Sequence, residues 1–143
     1  MEAIRVLLCN HHPLVRTSLR ILLENAPGIR LVGETADAYE ALMLTEYGQP
    51  DVVLLDMKLA QKSGISTARE ISAKTNRVGI VFVSFYADEQ YVAEAFKAGA
   101  RGYVMAESVP NDLIESIRIV AAGGRFVSRG LVWPANDGFS AQH

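Results

Sequence analysis

Residues 50–58 read Pro50-Asp51-Val52-Val53-Leu54-Leu55-Asp56-Met57-Lys58. Four apolar residues in a row between two aspartates are too few for a helix, and they lack the alternation of a half-wet strand. Such a run is a strand buried on both faces, which places Asp51–Asp56 centrally in a parallel sheet. Gly48-Gln49-Pro50 stops whatever precedes it, and the acid at its far end is where the chain leaves the core.

Working outward, apolar runs and amphipathic segments alternate. Ile4–Cys9, Ile29–Glu34, Val78–Val83 and Gly102–Met105 read as further strands. Pro13 suits a first helical turn, and Leu14, Val15, Leu19, Leu22 and Leu23 recur at helical spacing up to the stop at Asn25-Ala26-Pro27-Gly28. Asp37 caps a second helix, Ile65–Lys74 forms a third, Asp88 caps a fourth, and Pro110 opens a fifth that ends at Gly123-Gly124. About five strands alternating with about five helices predict an α/β fold: a doubly wound parallel sheet covered by helices on both faces. In such sheets ligands bind outside the carboxyl ends of the strands. The residues there are Asn10-His11, Asp56, Ser84 and Ala106.

The bulk numbers set the limits. At 143 residues, 50% hydrophobic and 21% charged, the chain reads as one globular domain. A net charge of −2 gives no basic footprint for nucleic acid. No run is long enough for a membrane span, and Met1-Glu2-Ala3-Ile4-Arg5 leads straight into a strand rather than a signal peptide, so the expected compartment is the cytoplasm. Cys9, alone, forms no disulfide framework and reads as a small buried hydrophobe rather than a redox thiol. Cys9, His11 and His12 suggest a transition-metal site, but neighbouring residues on a strand point to opposite faces, which hinders joint ligation. Gly28 to Thr35 has the spacing of a phosphate-binding loop, but Glu34 stands where lysine is needed and the segment reads as a strand.

The run Val6-Leu7-Leu8-Cys9-Asn10-His11-His12-Pro13-Leu14-Val15-Arg16 resembles the opening of a bacterial response-regulator receiver domain of the LuxR-type subfamily. Residues 50–58 resemble its phosphoacceptor strand, Ser63-Gly64 the turn that follows, and Ala98-Gly99-Ala100-Arg101-Gly102-Tyr103 and Ala121-Ala122-Gly123-Gly124-Arg125 its last third. The resemblance covers roughly residues 4 to 128. It implies a flavodoxin-like five-stranded sheet of order 2-1-3-4-5, with 1–128 as the receiver and 129–143 as a partly disordered C-terminal tail. It implies that Asp56 accepts a phosphoryl group from a histidine kinase, that Ser84 supplies the hydroxyl that senses it, and that Tyr103 is the aromatic that switches with it. It also implies partners: a kinase or another signalling protein, and a second copy docked through the fourth helix, fifth strand and fifth helix, near which Tyr86, Tyr91 and Ile119 fall. No enzymatic constellation and no helix-turn-helix segment is read in these residues.

The sequence departs from that pattern where its chemistry is concentrated. Asn10 and His11 stand in place of an acid pair that holds magnesium, Ala106 in place of a lysine that anchors the phosphoryl group, and Ala60-Gln61 in place of a frequent Pro-Gly. Magnesium requires hard oxygen donors, and its Lewis-acid contribution is worth several kcal/mol, so Asp56 is left as a weak metal ligand if it is one at all. The missing lysine removes about 1.5–3 kcal/mol of charge-assisted hydrogen bonding, as much as the coupling in a typical switch. The expectation is an atypical receiver, with weakened magnesium-dependent phosphorylation at Asp56. The alternative is a pseudo-receiver that docks or dimerises without phosphate. An imidazolium at His11, brought near by the shared strand-end edge, or Lys58 in the loop after Asp56, is expected to neutralise Asp56 in the metal's place.

Overall fold

The computed structural model describes residues 2–86, 88–131 and 133–134. Six strands and five helices follow one another: β1 Ile4–Cys9, α1 Pro13–Glu24, β2 Ile29–Thr35, α2 Ala38–Gly48, β3 Val52–Leu55, α3 Gly64–Lys74, β4 Gly79–Ser84, α4 Glu89–Lys97, β5 Gly102–Met105, α5 Asn111–Ala121 and β6 Phe126–Val127. A short 3-10 turn, Ala106–Ser108, joins β5 to α5. The sheet runs β2-β1-β3-β4-β5-β6 and every pairing is parallel. All the carboxyl ends therefore emerge along one edge.

Strand parity separates two cores. Leu7, Cys9, Val53, Leu55, Ile80, Phe82 and Tyr103 face the helices α2, α3 and α4, against Ala41, Ala68, Ile71, Val92 and Ala95. Their neighbours Val6, Leu8, Val52, Leu54, Val81, Val83 and Val104 face α1 and α5, against Leu19, Leu23, Leu113, Ile117 and Val120. This is the expected doubly wound arrangement.

Helix starts follow from local chemistry. Asp37 accepts the Glu40 amide at 3.0 Å and Ser63 the Ser66 amide at 3.0 Å. Two expected starts differ in detail. Asp88 occupies the N-cap of α4 but its side chain makes no capping hydrogen bond. Pro110 is the N-cap of α5, whose first helical residue is Asn111.

The expected five-stranded sheet has a sixth strand. Phe126 donates to the Arg101 carbonyl and Ser128 to that of Tyr103, which adds Phe126–Val127 to the free edge of β5. Two residues carry no period, so this strand is set by its partner rather than by its own pattern. Packing continues past residue 128, the expected edge of the domain: Trp133 meets Phe96 at 6.3 Å between ring centroids, and Leu131 packs on the same core. Of the tail expected to be partly disordered, residues 132 and 135–143 lie outside the described residues.

Ser128 ties this added edge down. Its buried hydroxyl accepts the Met105 amide at 3.0 Å. Ser128→Ala leaves that amide buried without its acceptor and should cost about 1–3 kcal/mol, read as a lower urea midpoint at unchanged m-value.

Candidate functional site

Asp56 is the first residue after β3 and is half-buried. Burial pushes its carboxyl above its ordinary value, while the backbone amides of Met57, Lys58 and His11 and the charge of the His11 side chain pull it down. Three amides from two strand-end loops thus surround one carboxylate, and His11 lies within electrostatic reach of it.

The loop that returns over Asp56 is tightly specified. Gly64 donates to the Met57 carbonyl at 2.7 Å, and a Cβ at Gly64 would overlap the Asp56 carbonyl group. Lys58 and Ser63 bridge across the turn, and Ala60 pairs with the segment before α2 through Ala60 N to Ala36 O and Ala38 N to Ala60 O, both 2.9 Å. Gln61 sits between them at φ 81°, a conformation that suits glycine.

The loop after β1 is arranged differently from a metal-holding acid pair. Asn10 is buried, at 3% exposure, and its Oδ1 accepts the His12 amide at 2.8 Å. The Arg16 guanidinium donates to the Asn10 carbonyl at 2.8 Å and, with Arg20, holds Glu34. His11 is exposed. His12 is the N-cap of α1, its Nδ1 accepting the Val15 amide at 3.5 Å. Sequence reading missed this role, since imidazole is not a usual capping group; Pro13 at the next position was the available signal. The described residues contain no group of three His, Cys, Asp or Glu side chains able to hold a metal. Cys9 is fully buried, which pushes its thiol far above its ordinary value.

Ser84 and Tyr103 come together on the other side. Ser84 ends β4, is buried, and its Oγ accepts the Tyr86 amide at 2.9 Å. Tyr103, on β5, is fully buried and its hydroxyl donates to the Tyr86 carbonyl at 2.7 Å. Burial raises the phenol above its ordinary value, with the Ser84 hydroxyl beside it acting the other way. Both residues thus hold the same backbone unit in the β4–α4 loop. Phe85, between them, points into solvent, and Tyr86 packs on Tyr91 at 4.9 Å between ring centroids. Ala106 opens the 3-10 turn and is part-buried against the α1–α5 core, with no side-chain donor to offer. Ile119, expected near the α4–β5–α5 face, is part-buried and lines a groove between α1 and α5 instead.

A sequence model of the response regulator receiver domain matches residues 6–118. An uncharacterized transcriptional regulatory protein of Bacillus subtilis (strain 168), YxjL, is 34% identical over 122 residues, 85% of this chain and 56% of that protein. The nitrate/nitrite response regulator NarL of Escherichia coli (strain K12) is 33% identical over 130 residues, 91% of this chain and 60% of that protein. Among solved structures, a LuxR-family two-component response regulator from Aurantimonas sp. SI85-9A1 superposes with a TM-score of 0.85 at 35% identity, covering 90% of this chain and 91% of that one. The chain spans less than two thirds of the length of the curated relatives it matches.

Two outcomes test this geometry. A carboxyl held above its ordinary value in the fold binds its proton more tightly folded than unfolded, so its ionisation costs stability as pH rises through the unfolded value. Asp56→Asn should therefore raise the melting temperature near pH 7, and the gain should shrink as pH falls through the ordinary aspartate range, read by thermal melts across that range. Gln61→Gly relieves a positive φ and should stabilise by about 1 kcal/mol in urea titration.

Proposed function

This chain belongs to the response regulator receiver domain family, and we propose that it signals as an atypical receiver whose magnesium-dependent phosphorylation at Asp56 is weakened. Receiver domains of two-component systems take a phosphoryl group on an aspartate at this strand end and bind magnesium beside it. They are signalling modules, not enzymes with a substrate of their own. The observation that carries the proposal is the side chain of Asn10. It is buried and its Oδ1 accepts the His12 amide, so the first residue of the acid-pair position offers a cation no anionic oxygen.

The rest of the donor set agrees. His11 brings imidazole where a hard cation wants an anionic oxygen, and the Met57 carbonyl already accepts from Gly64. Asp56 is the one carboxylate among the strand-end positions that matter, and magnesium does not fit there with useful affinity. What remains at Asp56 is a ring of amides and a nearby imidazole. These can hold and partly neutralise the carboxylate, as His11 does electrostatically. They supply less stabilisation for the transferring phosphoryl group than a metal and a lysine would, because that transfer depends on neutralising charge spread over its oxygens.

A second reading, a pseudo-receiver that docks or dimerises without phosphate, is favoured by one observation. Ser84 and Tyr103, the sensing pair, both bond the backbone of Tyr86, so the two are joined through protein groups alone. On either reading the partners are a histidine kinase or another signalling protein and a second copy met through α4, β5 and α5, where Tyr86 and Tyr91 stand half-exposed. The compartment proposed is the cytoplasm. Direct nucleic-acid contact by these residues is not part of the proposal, given a net charge of −2.

Acetyl phosphate with magnesium, followed by intact-mass measurement, tests this. The wild type should gain a phosphoryl group slowly, with little dependence on magnesium, and Asp56→Asn should gain none. Asn10→Asp with His11→Asp and Ala106→Lys should restore fast, magnesium-dependent uptake. Fast magnesium-dependent uptake by the wild type would overturn the weakened site. Complete inertness of the wild type beside a responsive triple variant would select the pseudo-receiver.

A further inference from the structure

We propose that the outer face of α2 docks a helix of another protein, one with an apolar stripe bordered by lysine or arginine. A surface helix normally turns polar residues to water. α2 does not. Its buried side carries Ala38, Ala41 and Thr45, with Leu42 and Leu44 part-buried at the flanks. Its water side carries Tyr39, Met43 and Tyr47, which are 56%, 50% and 80% exposed. Their spacing of four sets them in one row along about 12 Å of helix. Elsewhere the exposed helix positions are mostly polar, as with Glu89, Gln90, Glu94 and Lys97 on α4 and Arg69, Ser72 and Lys74 on α3; the large exposed apolar or aromatic residues are Leu14 and Ile21 on α1 and Tyr91 on α4, and none of these helices carries a row of three.

The residue types suit contact. Tyrosine offers a large rigid surface with a polar tip, and methionine adapts its shape to what it meets. Interfaces are enriched in both.

The borders choose the partner. By helical spacing Glu40 lies on one side of the row and Glu46 on the other. Both are exposed and neither is in an ion pair among the described residues. A cation already rests on this face: the Lys62 ammonium lies 5.0 Å from the centroid of the Tyr39 ring. No cation sits over the ring of Tyr47 among the described residues. A basic, apolar helix therefore matches the acid borders and the open ring together.

The same borders argue against a second copy. Antiparallel self-pairing centred on Met43 would put Glu40 on the same flank as the partner's Glu40 and Glu46 on that of the partner's Glu46, and parallel pairing would put Glu40 on the flank of the partner's Glu46. Like charges so placed repel. An anionic membrane surface meets the same objection.

The test uses the isotope-labelled full chain and two synthetic amphipathic peptides of about 14 residues, one with a leucine stripe bordered by lysines and one bordered by glutamates. The lysine peptide should shift the amides of residues 38–48 and bind at least about tenfold more tightly than the glutamate peptide. Met43→Glu should lose about tenfold, and Glu40→Lys with Glu46→Lys should reverse the preference. These positions are exposed, so the variants should fold, which an unchanged amide spectrum outside α2 would verify. Equal affinity for the two peptides, shifts centred elsewhere, or no effect of Met43→Glu would overturn the proposal. So would self-association that Met43→Glu abolishes, or binding of phosphatidylserine vesicles through the same residues.

Discussion

The burial of β3 on every side sets the rest. β1 and β4 pair with its two edges, helices cover both its faces, and Val52 to Leu55 are at most 1% exposed. The chain cannot meet water until Asp56. An ionisable group placed there is half-desolvated by construction, and the surrounding loops have to supply its hydrogen bonds. The groups that oppose its burial are the Met57, Lys58 and His11 backbone amides, with the His11 side-chain charge beside them. This makes the carboxylate's surroundings a property of backbone path, and the path depends on Gly64, where a side chain would collide with the Asp56 carbonyl.

That dependence separates what the sequence disclosed from what it hid. Strands with a strong apolar run, and helices with a clear stripe, were legible because one face or both had to be buried. Asp56 and Ser84 stood out because strand ends in a parallel sheet share one edge, whereas Tyr103, inside β5, was singled out by the family resemblance alone. Phe126–Val127 was not, since a two-residue strand owes its existence to the open edge of β5. Nor was the inward turn of Asn10, because an amide at that position could equally have faced the carboxylate. His12 as a helix cap was hidden by its residue type. Gln61 shows the reverse case: the backbone keeps a left-handed turn although the residue best suited to it is gone.

The two sides of the site differ in stiffness. On the β1 side, Arg16 links the Asn10 carbonyl to Glu34, and Arg20 braces the same carboxylate, so the loop carrying His11 is fastened to α1 and β2 together. On the β4 side, one backbone unit, Tyr86, receives both Ser84 and Tyr103. A group that moved the Ser84 side chain away from the Tyr86 amide would break that hydrogen bond. The cost of losing a neutral hydrogen bond is about 0.5–1.5 kcal/mol, small enough for a ligand to meet and comparable with a modest allosteric coupling.

Cys9 ends β1 one residue before the loop that presents His11, and it is the single thiol in the chain. It is sealed in the core and held firmly protonated. A maleimide or disulfide reagent therefore has no reactive thiolate to find while the sheet is intact. Its labelling rate becomes a clock for the opening of the central strands, with no engineered probe required.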